Sequence, residues 1–201
     1  MIQKIAIAIA AVAFLGANAI AQESRSEISL QGMGMFTKDT TGQGTTQSAT
    51  QTGGLLVGYR YRLNRWLSAD GVYGYGRNTQ QYFTTAGLSS IQANVHQATG
   101  GFVFNLPTPR RFGIRPYVLA EGGALFFDPT GSTFGVTGAQ RSTVGVFTYG
   151  GGADVPVIKH ISLRAEYRGL VYGAPDFGIS SLNTNTTTHI AQPSAGLVFR
   201  F

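Results

Sequence analysis

Residues 162–171 alternate almost strictly. Leu163, Ala165, Tyr167, Gly169 and Val171 fall on one parity, and Ser162, Arg164, Glu166 and Arg168 on the other. Successive side chains of a strand point to opposite faces, so this pattern is a strand with one apolar and one charged face. The pattern recurs along the chain. Leu55, Val57, Tyr59, Tyr61 and Leu63 oppose Arg60 and Arg62, while Leu67, Ala69, Gly71, Tyr73 and Tyr75 oppose Ser68, Asp70, Gly74 and Gly76. Ala98, Gly100, Phe102, Phe104 and Leu106 share a face. Val118, Ala120, Gly122, Ala124 and Phe126 oppose Arg115, Tyr117, Glu121 and Gly123. Phe147, Tyr149, Ala153 and Val155 oppose Thr148, Gly150, Gly152 and Asp154. Ile28, Leu30 and Phe36 against Glu27, Ser29 and Gln31 is a weaker match.

The breaks between these stretches alternate between long and short. Those at 38–52, 77–90, 128–140 and 173–187 are long and rich in Thr, Ser, Gln, Asn and Gly, so they are expected as outward loops. Those at 63–65, 107–111 and 156–160 are short, with Pro and Asn as turn formers. Seven breaks give eight strands, an even number that places both ends of the fold on the short-turn side.

Residues 1–21 carry Lys4, an eleven-residue apolar run from Ile5 to Leu15, and small residues ending at Ala21. That is the layout of a cleaved secretory signal peptide, and the run is too short for the roughly 20 apolar residues of a spanning helix. Residues 22–201 are then the mature domain. No later apolar stretch reaches 18 residues. A bilayer can be spanned only by helices or by a closed barrel, because backbone polar groups find no water in lipid.

Composition decides which way the barrel faces. Charged residues are 12% of the chain, about half the usual ~25%. Gly is 28 of 201, and Phe, Tyr and Trp number 13, 9 and 1. A soluble lipocalin-like barrel would turn the charged parity to water, yet that parity holds few Lys or Glu and much Gly. The apolar parity is nearly free of charge and has aromatics near the strand ends, as a lipid-facing surface with interfacial girdles requires. The expected fold is all-β, an eight-stranded antiparallel transmembrane barrel of up-and-down topology.

The charged parity then faces the lumen. It comprises Arg60, Arg62, Arg115, Arg164, Arg168 and Arg200, with Glu27, Asp70, Glu121, Asp154 and Glu166. Eight strands leave an interior just wide enough for side chains. These residues are therefore read as a plug of Arg–carboxylate pairs, with a gated narrow pore as the alternative. The net charge of +6 is no nucleic-acid signature, since no basic run of five exists.

The chain ends Ser194-Ala-Gly196-Leu-Val-Phe199-Arg-Phe201. This resembles the C-terminal sorting signal of bacterial outer-membrane barrels, polar-x-Gly-x-x-aromatic-x-aromatic, matched by Ser194, Gly196, Phe199 and Phe201. The segments 115–123 and 163–168 look like strands five and seven of small OmpA-like or OmpX-like barrels. The resemblance implies recognition by the barrel-assembly machinery, surroundings of outer-membrane lipid and lipopolysaccharide, and a monomer without cofactor. The barrel runs to Phe201, so the peptidoglycan-binding domain of OmpA is not expected. That family includes adhesins, serum-resistance factors, structural proteins and weak pores.

Enzyme chemistry is poorly supported. His160-x-Ser162 resembles the His-x-Ser of a lipid A deacylase, but it opens a strand at the short-turn end, a bilayer away from that substrate. His96 and His189 are isolated, no metal site is expected, and Gly150-Gly151-Gly152 lies within a strand instead of opening a phosphate loop.

Overall fold

The computed structural model describes residues 25–84, 87–107, 113–179, 182 and 184–201. The expected signal peptide, 1–21, lies outside them, as does most of the short break at 107–111. Ten strands are present among the described residues: β1 (Ser26–Thr37), β2 (Thr40–Gly42), β3 (Thr45–Ala49), β4 (Thr52–Arg62), β5 (Leu67–Thr84), β6 (Gly87–Asn105), β7 (Arg115–Phe134), β8 (Ser142–Ile158), β9 (Ile161–Gly173) and β10 (Thr187–Arg200). Eight of them form the wall in the order β1–β4–β5–β6–β7–β8–β9–β10, each antiparallel to its neighbours. The ring closes between the first and last strands, with Glu27 opposite Arg200 and Gly32 opposite Ala195. Backbone bonds from Ser26 N to the Phe201 carbonyl (3.2 Å) and back (3.0 Å) seal the seam at its end. This is the expected eight-stranded up-and-down barrel.

The apolar parity lies outside. Leu55, Val57, Tyr59 and Tyr61 of β4, Tyr73 and Tyr75 of β5, Phe102 and Phe104 of β6, and Leu163 and Tyr167 of β9 are all exposed. Trp66 is exposed at the short-turn end. There the Asn64 side-chain Oδ1 accepts from the backbone N–H groups of Trp66 (2.9 Å) and Leu67 (2.8 Å). A side chain thus supplies the turn's acceptor, the reason Asn suits this position.

The long breaks differ from the expectation of open loops. Residues 77–84 and 87–90 are strand: the β5–β6 ladder runs unbroken from Leu67↔Phe104 to Thr84↔Gly87. Residues 38–52 contain the β2–β3 hairpin, whose turn residues Gln43 (φ 50°) and Gly44 (φ 76°) both take the left-handed conformation that a two-residue hairpin turn needs. Its second strand pairs with the upper part of β5, Thr46 opposite Phe83. The first half of 128–140, as far as Phe134, also belongs to β7. Along 77–81 the inward parity, Asn78 and Gln80, is buried yet polar, and outward Thr79 and Gln81 are polar as well, so the apolar–polar contrast is lost and the stretch reads as loop.

Candidate functional site

The inner wall is stratified. Its lower half, toward the short turns, is charged, and Glu27, Arg60, Asp70, Glu121, Asp154, Arg164, Glu166, Arg168 and Arg200 are all buried. Arg62 points to the same region with its side chain 38% exposed at the mouth. Arg115 departs from the sequence expectation. It begins β7, is exposed, and stands at the rim of the lumen outside the network. Its parity is inward, but β7 begins there and its ladder to β6 stops at Asn105↔Tyr117, so Arg115 is walled on the β8 side alone.

Five Arg and five carboxylates remain, joined in two groups. In the lower group Arg200 binds Glu27 (2.7 Å) and Asp154 (2.9 Å), and Arg164 binds Asp154 (2.7 Å) and Glu27 (3.3 Å). Arg62 reaches Glu27 at 3.2 Å. In the upper group Arg168 binds Glu121 (2.7 Å), Glu166 and Asp70 (3.6 Å). Arg60 binds Asp70 (3.0 Å) and lies 3.7 Å from Glu166. Three Arg against two acids leave the lower group one charge positive, and two against three leave the upper group one negative. The lumen is neutral as a whole. Arg can serve several carboxylates because its planar fork offers five donors.

Tyr117 ties the groups together. Its hydroxyl donates to Glu166 in the upper group. The Arg60 guanidinium lies 4.3 Å from its ring centroid and that of Arg164 5.2 Å. Sequence reasoning placed Tyr117 on the inward parity without assigning it this role; its position two residues from Arg115 and four from Glu121 was the available signal. The ring fits because the neighbouring wall is glycine. Gly152 lies opposite Tyr117, and a Cβ there would meet the Tyr117 hydroxyl oxygen at 2.6 Å.

Above the charges comes a belt of neutral polar side chains. Gln192 donates to Gln97 across the lumen at 3.0 Å, and Ser194 donates to Gln31 at 3.1 Å. Higher still, the inner face turns apolar: Met33, Met35, Leu56, Leu125, Phe127, Leu170 and Tyr172 pack into one buried cluster. Phe177 and Leu182, from the segment joining β9 to β10, complete it from above. Phe177 meets Tyr82 and Phe127 edge-on, at 6.5 and 6.2 Å between ring centroids. The Tyr82 hydroxyl donates to the Pro175 carbonyl at 2.6 Å. The sequence reading missed this stopper. Its signal was that both parities become apolar toward the long-loop end, as at Leu125-Phe126-Phe127.

The terminal motif divides between the two faces. Ser194 is buried in the lumen, and Phe199 is exposed on the outer face. Gly196 sits where a Cβ would lie 2.0 Å from the Leu30 carbonyl oxygen and 2.5 Å from the Gln31 Cα across the seam. The histidines lie apart. The His160 Nδ1 is 3.1 Å from the Arg200 carbonyl oxygen, His96 bonds Tyr73 at 2.6 Å, and His189 bonds Tyr149 at 3.0 Å.

No curated protein sequence matches the chain. Solved structures with the same fold include Ail, the attachment invasion locus protein of Yersinia pestis. It is 17% identical with TM-score 0.50, and the match covers 90% of this chain and 100% of that one. The outer membrane protein OprG from Pseudomonas aeruginosa is 13% identical with TM-score 0.54, covering 90% and 97%. Neisserial surface protein A is 15% identical with TM-score 0.54, covering 89% and 98%. The family model of the outer membrane protein β-barrel domain matches residues 7–201. The chain therefore belongs to the outer membrane protein β-barrel domain family and is a small eight-stranded barrel of the bacterial outer membrane.

Proposed function

We propose that this barrel is a non-enzymatic, monomeric envelope protein with a plugged lumen, working through its outer surface and its lipid contacts. The observation that carries the reading is double closure, by the two charge groups below and by the apolar cluster under Phe177 and Leu182 above. Passage of a solute would require breaking both. Opening the lower layer alone leaves a buried charge unpaired, at about 3–5 kcal/mol for each lost partner.

The outward face supports residence among lipopolysaccharide. At the upper end of the apolar band Arg77 is exposed beside Tyr75, and Arg141 lies 5.4 Å from the Phe126 ring centroid. Basic side chains beside girdle aromatics suit the phosphates of outer-leaflet glycolipid. Residues 1–21 would direct export and be removed at Ala21. Ser194, Gly196, Phe199 and Phe201 would present the final strand to the barrel-assembly machinery. An unpaired edge carrying apolar residues is suited to pairing with another sheet before closure.

Planar-bilayer recording tests the central statement. A plugged barrel gives no steady conductance, and stable openings would replace this reading with that of a small-solute pore. Lipid A mass profiles unchanged by expression of the protein are expected; an altered acylation pattern would make it an enzyme.

A further inference from the structure

At the short-turn end the lumen opens into a cavity of about 290 Å³, near the lower bound of small-molecule sites. Its walls hold four guanidinium groups, from Arg62, Arg65, Arg115 and Arg200, and two carboxylates, from Glu27 and Asp154. Both carboxylates are already engaged. Glu27 accepts from Arg62, Arg164 and Arg200, and Asp154 from Arg164 and Arg200. Among the described residues Arg65 and Arg115 have no ion-pair partner. Arg65 and Arg115 therefore bring to the lining two positive charges that the closure of the barrel does not use.

We propose that this periplasmic mouth binds a phosphate monoester dianion. These two charges match such an ester at neutral pH, whereas a single carboxylate would leave one unbalanced. The arginines approach from the end of β4, the turn after it, the start of β7 and the end of β10. Forks converging from separate strands suit a tetrahedral group with three acceptor oxygens. The phosphate could belong to a soluble ester or to the headgroup of an inner-leaflet lipid, and the mouth lies where both are in reach.

The test uses the protein extracted from membranes in dodecyl maltoside, which carries no phosphate. Glycerol 3-phosphate is titrated calorimetrically at low salt, with glutarate as a dicarboxylate of equal charge. Saturable binding of glycerol 3-phosphate is expected, and the Arg65→Gln/Arg115→Gln double variant should weaken it by about tenfold or more, the scale of one lost charge-assisted bond. Both residues are exposed and outside the ion-pair groups, so the variant should keep the wild-type gel shift on heating. Displacement by short-chain phosphatidic acid assigns the site to lipid, and failure to displace assigns it to soluble esters. Absence of binding, equal affinity for glutarate, or unchanged affinity in the folded double variant overturns the proposal.

Discussion

Arg168 of β9 holds Glu121 of β7 across the barrel interior, Nη1 to Oε2 at 2.7 Å, with β8 between their strands. Both side chains are almost wholly buried, so neither charge can turn to water when the other is removed. Arg168→Ala strips Glu121, Glu166 and Asp70 of a shared partner, whereas Glu121→Ala removes one acceptor of three. Each variant should lower stability to urea unfolding by about 3–5 kcal/mol, with Arg168→Ala the worse. Membrane location should not change. Midpoints like that of the wild type for both would remove the argument for a structural charge plug.

Tyr117 separates two contributions that usually travel together. Tyr117→Phe keeps the ring between Arg60 and Arg164 but loses the bond to the Glu166 carboxylate, a cost of about 1.5–3 kcal/mol. Tyr117→Ala also opens a cavity beside Gly152 and should cost about 3–5 kcal/mol. Equal urea midpoints for the two variants would show that the ring itself contributes nothing.

Gly196 and Gly122 make a matched pair for testing the seam. A methyl group at Gly196 would collide with the backbone of β1, while one at Gly122 meets nothing within 4 Å. Gly196→Ala is therefore expected to reduce the fraction of protein that migrates as a compact barrel on an unheated gel. Gly122→Ala should leave that fraction at the wild-type level. If Gly196→Ala folds as well as Gly122→Ala, the close approach at the seam is not what selects glycine.

Phe177 anchors its connecting segment by two ring contacts and complete burial. Phe177→Ala should release that segment while the wall below keeps its ladders, because local opening need not involve the whole barrel. Protease added to intact cells should then cut within 174–186 faster than in the wild type, at least several-fold. Unchanged cutting would mean the segment is held from elsewhere. Conductance should remain silent in this variant, since the charged layers still close the lumen.

The wall was legible because the bilayer constrains it strongly. Tyr59, Tyr73, Phe102 and Tyr167 must face lipid while Arg60, Asp70 and Arg164 must not, and that contrast survives in a single sequence. The contrast fades above the membrane. Asn78, Gln80 and Gln81 continue β5 with both faces polar, so their strand character shows only in the ladder to β6. Which Arg meets which carboxylate was not legible either. Arg164 and Glu27 are 137 positions apart and meet only because the ring closes, and pairing across a lumen depends on shear as well as parity. Arg115 shows the limit of parity from another side: alternation gives the direction of a side chain but not whether both neighbouring strands reach its height.

The unbroken pairing of β5 with β6 has a consequence for anything approaching the cell from outside. From Arg77 to Thr84 the hairpin climbs eight residues past the tyrosines of the outer girdle, a path of roughly 26 Å along the strand. A flexible loop must surrender its freedom when a receptor or antibody grips it, typically about 0.5–1.5 kcal/mol for each side chain immobilised. A laddered ribbon has already lost much of that freedom during folding. Its outward face therefore offers a shape-defined epitope, and recognition of this protein should depend on conformation, with folded barrel bound and boiled chain ignored.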